Sequence, residues 1–466
     1  PPPEIRGRTW SNTMSVDTGD IQGMVLGNIA GYRLVRHLIF SAPDSASLRR
    51  FVNEIRPLIL FGTNKPTTAH GWVANISFAP GAMAQLLPPE VYAKLESTFR
   101  SPPDAERIGD VGASHPSKWW EGRFRGDEVS CFVHLHAVGE AQLEAATAEI
   151  LEEAAAAGLT EKIPRASGGR LDGAFLGFGP AGKGARIHFG YVDGLSSSKI
   201  AWEGAPSPER PVDYRSVVVG HYDDRFPCAP AREPAATILR DSSYLVFRWI
   251  YQDTATFERF LTAKAPPLFP KLAPAEAREL LAAKMMGRWR DGTPLCLSPD
   301  APAPDRCDEH FAFAEDLQGI ACPVSSHVRV MNPRDQELSG MSVTTGVPQI
   351  IRRGMPYGPE LKGEQDDGVD RGILGIFVCA SIREQFMRLA AWGQRNNFSN
   401  AFPAHGRDQD ALIGNRSVPG ATREFRIPKG PAGGGVVTGL PDFIRTKGTQ
   451  YLLMPSGRTL SALVPL

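Results

Sequence analysis

Neither sign of charge is in surplus, cysteine is scarce, and no apolar run is long. Lys plus Arg and Asp plus Glu are both 51 in a chain of 466 residues. No global field therefore draws the chain to nucleic acid or to an anionic membrane, and neither is expected as a partner. Nothing approaches the run of about 20 apolar residues that spans a bilayer. The stretch Pro1-Pro2-Pro3-Glu4-Ile5-Arg6 lacks the charged and apolar regions of a signal peptide, and it does not begin with Met. A leader lost with the true start leaves secretion open. The six cysteines, at 131, 228, 296, 307, 322 and 379, are scattered rather than arranged as the framework of a small secreted domain. That scatter favors a reducing, cytoplasmic compartment. There is no Cys-x-x-Cys-His, so any heme is held without thioether links.

A length prior of roughly 100 to 200 residues per domain suggests at least two domains. Residues 32–40 are rich in strand formers, and Leu48, Phe51, Val52 and Ile55 then fall at i, i+3, i+4 and i+7, one helical stripe. Residues 71–78 and 131–138 read as further strands. Leu143, Ala146, Ile150 and Leu151 mark a second helix, and residues 173–179 and 187–192 are expected to extend the sheet. The second half repeats the alternation: a strand over 243–250, a helix over 253–263 capped by Asp253 or Thr254, a longer helix over 274–286, a strand over 373–380, a helix over 383–394 and a strand over 450–454. Prolines cluster at 206–211 and 227–234, where ladders and helix interiors would lose an amide donor. The order fits two α+β sandwiches, each a mainly antiparallel sheet with helices on one face, divided at residues 1–215 and 216–466.

Chemistry concentrates in two places. Gly190-Tyr191-Val192-Asp193-Gly194 sets a carboxylate between glycines, and residues 322–329 place His327 after an apolar stretch. Each has an ordinary reading: a turn using glycine's access to positive φ for the first, a hydrogen-bonded core histidine for the second. A zinc reading of Cys307, His310, Cys322 and His327 also stands, although the spacing matches no tight knuckle.

A series of landmarks in order along the chain is similar to the dye-decolorizing peroxidases, a heme enzyme family. They are residues 20–23 (Asp-Ile-Gln-Gly), 188–194, 243–248 (Ser-Tyr-Leu-Val-Phe-Arg) and 283–289 with 291–295. The series continues through 322–329 with Asn332-Pro333-Arg334, 351–358, Arg371-Gly372-Ile373-Leu374 and Gln385-Phe386. The resemblance implies a duplicated ferredoxin-like fold of the dimeric α+β barrel type, with non-covalent heme b (iron protoporphyrin IX) in the C-terminal half. It implies reduction of hydrogen peroxide through a ferryl intermediate and oxidation of an aromatic, phenolic or dye-like donor, with assembly into homo-oligomers open. A heme-binding or heme-handling protein with incidental peroxidase activity is the other reading.

Residue by residue, the resemblance makes His327 the proximal iron ligand and Asp410 the acceptor of its second ring N–H, which sets the basicity of the imidazole. Asp193 aligns with the distal acid/base. An ordinary aspartate titrates near about 3.9, below imidazole at about 6.5, so a carboxylate stays charged in acid and an acidic optimum is expected. Arg352 aligns with the distal arginine, which stabilizes negative charge on the departing oxygen, with Arg353 as its alternative. Arg329 and Arg334 pair with the heme propionates or close a loop by salt bridges. Leu374 walls the distal side, where Leu374-Gly375-Ile376-Phe377 departs from the family's commoner Leu-Leu-Phe. Trp392, at helical spacing from Phe386 and Leu389, reads as core.

Overall fold

The computed structural model describes residues 15–27, 31–62, 71–176, 185–195, 199–204, 212–221, 238–306, 310–336, 348–395 and 409–465. Both proline clusters fall outside them, while the expected divide at 215/216 lies within the described stretch 212–221. Within them the N-terminal half runs β1 (Leu34–Ser41), α1 (Ser45–Ile55), β2 (Trp72–Phe78), β3 (Cys131–Ala137), α2 (Glu140–Ala157), β4 (Thr160–Glu161) and β5 (Leu171–Ala174). Asp44 caps α1 by accepting the Ser47 N–H at 2.7 Å, and the stripe Leu48, Phe51, Val52 and Ile55 is wholly buried.

The C-terminal half repeats the plan with β6 (Ser243–Gln252), α3 (Thr254–Leu268), α4 (Pro274–Met286), α5 (His327–Met331), β7 (Ile351–Arg352), β8 (Met355–Tyr357), β9 (Gly372–Cys379), a π-helical turn (Ile382–Met387) leading into α6 (Arg388–Arg395), and β10 (Ile444–Met454). Asp253 is the cap of α3, accepting from the Thr256 amide at 2.9 Å. The strand order within the first half is β2-β3-β1-β4, and within the second β8-β9-β6-β10. In each, the first and third long strands are neighbors at the center, which is the ferredoxin-like order.

The two sheets are not separate layers. β10 hydrogen-bonds β2 at Leu453↔Phe78, joining them edge to edge into one antiparallel sheet. That sheet curls. His37 on β1 and Phe247 on β6 are four strands apart, about 19 Å if the sheet were flat, yet their rings lie 5.1 Å apart. At the closing seam a Cβ added to Gly173 of β5 would come within 2.9 Å of the Pro356 carbonyl of β8. The result is a barrel, consistent with the two-domain ferredoxin-like fold, whose interior holds Phe132, His134, Phe247, Trp249 and Leu374. Its outer face carries the helices.

Residues 187–192 differ from expectation: they form a turn with isolated bridges rather than a strand. Phe189 and Tyr191 are strand formers by type, but they are buried against α3 and α4 instead, with Phe189 4.7 Å from Phe257 and the Tyr191 hydroxyl donating to Ala282 O at 2.7 Å.

Candidate active site

His327 opens α5, and its Nδ1 lies 2.9 Å from Asp410 Oδ2. The Asp410 carboxylate is fully buried, and its other oxygen accepts the Leu412 and Ile413 amides, each at 2.9 Å. Asp410 Oδ1 is already occupied by two backbone donors, so Oδ2 is the oxygen that faces His327 Nδ1, and Nε2 lies on the edge of the ring away from Asp410. The imidazole is 23% exposed on that free side. The Asp410 loop is fixed from behind. Ala411 N–H donates to Ser325 O at 3.0 Å, and Arg416 donates to Asp410 O at 2.7 Å and to Gln409 Oε1 at 3.1 Å. A partly exposed imidazole with one ring nitrogen directed by a buried carboxylate and the other offered outward is a donor set that fits heme iron.

Asp193 is half-buried at the end of its turn. Its amide donates to Ala185 O at 2.7 Å, Val192 N–H donates to Arg290 O at 3.0 Å, and its Oδ1 accepts the Gly194 amide at 2.7 Å. Both flanking glycines adopt positive φ, 86° at Gly190 and 79° at Gly194, so the tight loop needs them. The turn is seated on α4 through Tyr191. Little more than one turn further on, the C-terminal end of α4 meets the histidine loop: a Cβ on Gly287 would lie 3.2 Å from Val328 Cβ and 3.5 Å from Ser326 Cβ. Helix α4 and the turn after it thus carry both candidate groups on one support. His188 Nε2 reaches Tyr357 O at 2.7 Å, tying the same turn to β8, directly after Arg352 and Arg353.

The two arginines are sorted by strand alternation. Arg353 turns inward and donates to Met24 O at 3.0 Å, Val25 O at 3.1 Å and Arg352 O at 3.3 Å, and burial lowers its pKa to about 10. Its guanidinium satisfies carbonyls of the short helix Gly23–Leu26. Arg352 pairs with Phe377 on β9 and is exposed on the outer, helix-bearing face of the barrel.

Leu374 departs from its expected place. It lies opposite Trp249 and Met355, fully buried in the barrel interior. Three residues from Phe377 on a regular strand, it faces away from Arg352, and the two cannot line one chamber. Ile373, Gly375 and Phe377 share the Arg352 face. A Cβ on Gly375 would meet the Phe377 ring at 2.9 Å, so that ring folds over the place where the family more commonly has an aromatic side chain. Residues 373–380 are so uniformly apolar that no polar alternation marks the outer face. The order of the strand's residues alone would have found it only with one face already known.

Arg329 is fully buried and spoken for. Nε donates to Gln336 Oε1 at 2.8 Å, Nη1 to Cys322 O at 2.6 Å, Nη2 to Asp316 O at 2.8 Å, and the plane sits 4.7 Å from the Phe313 ring center. Arg334, in left-handed conformation at φ 58°, lays its half-buried guanidinium 3.7 Å from the Phe311 ring center. Trp392 packs with Val324 and Val330 and donates to Val330 O at 2.8 Å. Of the zinc reading, Cys307 lies outside the described residues, and His310 is exposed while Cys322 is buried. Among the described residues no cluster of three or more His, Cys, Asp or Glu is arranged to hold a bare metal ion, and no helix is long and apolar enough to cross a membrane.

No family model matches the chain. It is 29% identical over 307 residues to the dye-decolorizing peroxidase msp1 of Mycetinis scorodonius, covering 59% of this chain and 56% of that protein, little more than half its length. It is 25% identical over 463 residues to a dye-decolorizing peroxidase of Exidia glandulosa, covering 95% of this chain and 86% of that one. Both relatives are dye-decolorizing peroxidases by name, and the chain resembles the second over nearly its whole length. The fold agrees. A crystal structure of a dye-decolorizing peroxidase superposes with TM-score 0.79 at 24% identity, covering 97% of this chain and 98% of that one, and one from Pleurotus ostreatus does so with 0.79 at 23%, covering 97% and 100%.

Proposed function

We propose that the chain is a heme b peroxidase that reduces hydrogen peroxide and oxidizes aromatic, phenolic or dye-like donors. The observation that carries this reading is the His327–Asp410 pair, an outward-facing imidazole nitrogen held by a buried, doubly amide-bonded carboxylate. Non-covalently bound iron protoporphyrin IX would supply the redox chemistry that couples peroxide to the donors. Nε2 of His327 would hold the iron, and Asp410 would keep that nitrogen electron-rich and aimed.

Asp193 would take the proton from the incoming peroxide and return it to the departing oxygen, a transfer its half-buried carboxylate can make without losing contact with solvent. Arg352 offsets negative charge developing on that oxygen, and its exposed placement beside Phe377 suits it where the committed guanidinium of Arg353 does not. Ile373 and Phe377 take the wall position in place of Leu374. Arg329 braces the 316–336 loop, and Arg334, its half-buried guanidinium over the Phe311 ring, is assigned to the heme carboxylates. Residues 1–215 and 216–466 are assigned as the N-terminal and heme-binding ferredoxin-like units, supported by the repeated strand order.

The test is purification followed by an absorption spectrum and an assay with peroxide and a phenolic donor. A Soret band with peroxide-dependent turnover well above that of free heme is expected. Bound heme with turnover no greater than free heme would leave a heme-handling protein instead.

A further inference from the structure

The loop that delivers His327 carries a second reactive group that peroxide turnover does not use. Cys322, five residues before His327, is fully buried, and across from it stands Cys296, half-buried in the segment that follows α4. Both are free thiols of one apolar cluster, and Gly287 brings them together: Cys322 Sγ lies 3.3 Å from where a Gly287 Cβ would stand, and the amide of Leu295, next to Cys296, donates to Gly287 O at 3.2 Å. Cations gather on the loop that carries the inner sulfur: Arg329 Nη1 donates to Cys322 O at 2.6 Å, and Lys284 Nζ donates to Ile320 O at 2.9 Å and Ala321 O at 2.6 Å. The opposing charges are Asp316, whose Oδ2 accepts the Cys322 amide at 2.8 Å, and the more distant Asp300.

A buried thiol among apolar neighbors is ordinarily inert, because burial opposes the thiolate. Burial does push the Cys322 thiol up, but the Cys296 hydrogen bond, Arg329, Ser326 and Lys284 outweigh it and bring the thiol below its usual value. The hydrogen bond to Cys322, with burial, pushes the Cys296 thiol up. A buried thiol of lowered pKa held next to a thiol that reaches solvent is suited to resolve an oxidized sulfur into a disulfide.

We propose that Cys296 and Cys322 are a peroxide-oxidizable dithiol that closes into a disulfide, tying the segment after α4 to the loop that presents His327. The half-buried sulfur of Cys296 attacks one oxygen of hydrogen peroxide: an S–O bond forms, the O–O bond breaks, and the departing hydroxide takes the Cys296 proton and leaves as water. The Cys322 sulfur then attacks the Cys296 S–OH sulfur, forming the S–S bond, and the expelled hydroxide takes the Cys322 proton and leaves as the second water. Two thiols are oxidized and one peroxide is reduced to two waters. The oxidant is the enzyme's own substrate, so the pair meets it wherever the enzyme works.

The experiment uses the heme-loaded protein, reduced with dithiothreitol and desalted. One portion receives a few equivalents of hydrogen peroxide and a parallel portion receives diamide, which oxidizes thiols without involving heme. Remaining thiols are blocked under denaturing conditions, and the chain is digested without reductant for mass spectrometry. A linked peptide pair containing Cys296 and Cys322, lighter than its two parts by two hydrogens, is expected in both portions, with loss of two free thiols per chain. Dithiothreitol should reverse it and Cys296→Ser should abolish it. Cys322→Ser offers the reciprocal check, and Cys296→Ser, altering the partly exposed member, remains decisive should the buried variant misfold. The proposal is overturned if both cysteines are recovered as free thiols in both portions, if each is oxidized singly to sulfinic or sulfonic acid, or if either pairs with another cysteine instead. The readout is a mass and one arm bypasses heme, so its failure is distinguishable from failure of the peroxidase reading.

Discussion

The two sides of the proposed heme site are built on different principles. On the His327 side the support is tied down: the imidazole to Asp410 through Nδ1, that carboxylate to two amides, its loop to Arg416 and Ser325. On the Asp193 side the functional groups are half-buried or exposed, and the fixing is done beneath them by Gly190, Gly194, Tyr191 and His188. A ligand that must hold iron in one geometry benefits from a locked network. A group that must exchange protons on each turnover benefits from a rigid base and a wet tip. Stiffness here follows the task of each residue.

Substitutions can break that contrast from either side. The largest effect is expected at Asp193→Asn, which keeps the Gly194 hydrogen bond but cannot carry the proton: peroxide-dependent turnover should fall by about 100- to 10,000-fold while the heme spectrum is retained. Loss of heme in this variant would mean that Asp193 is structural. Arg352→Leu should lower turnover by about 100- to 1,000-fold, again with heme in place, whereas Arg353→Leu should leave turnover nearly unchanged. The Arg353 change should instead cost about 1.5 to 3 kcal/mol in denaturant unfolding, since carbonyls of Met24 and Val25 lose a charged donor. Reversal of this pattern would exchange the roles of the two arginines. Asp410→Asn should weaken heme retention or activity by about 10- to 100-fold, measured as the rate of heme loss to an external acceptor.

The barrel interior sharpens the contrast in another way. His37, His134 and His136 are buried there, with His37 Nδ1 2.9 Å from His134 Nδ1 and His134 Nε2 2.8 Å from Ser77 Oγ. Burial lowers the pKa of His136 to about 4 and, together with charge on His136, that of His134 to about 3, and holds His37 well below its ordinary value. Unfolded histidines bind protons below about 6.5, where the folded ones do not, so stability is full above that pH and falls as pH drops toward 4 and 3. Each histidine contributes a slope of order 1.4 kcal/mol per pH unit within its window. Thermal midpoints measured from pH 7 to pH 4 should decline, and His136→Leu should flatten the decline. An unchanged slope would contradict the assignment. An acidic activity optimum, if Asp193 provides one, would therefore work against the stability of the barrel.

Much of this was readable where one physical signal dominates. The stripe Leu48, Phe51, Val52, Ile55 and the helix Pro274–Met286 follow from apolar period and an N-terminal proline, and both stand as read. The strand read as 450–454 begins earlier, at Ile444, because Arg445, Thr446 and Lys447 look polar in sequence while cross-strand pairing with β6 decides their state. Barrel closure was not legible, since it depends on Gly173 meeting β8 from the far end of the chain. The expected strand over 187–192 failed because Phe189 and Tyr191 satisfy their hydrophobicity against helices. In the site, Asp193, His327 and Asp410 came from resemblance to a family rather than from spacing. The inward turn of Leu374 and the commitment of Arg329 to its own loop are tertiary facts that a motif does not carry.

The account turns on one imidazole, and one comparison of absorption spectra tests it. Heme-loaded wild type should show a Soret band at one heme per chain. His327→Ala should lose that heme on gel filtration and regain it when free imidazole fills the space left by the side chain. A His327→Ala protein that keeps its heme with the wild-type spectrum would contradict the account, because the iron would then be held from somewhere else.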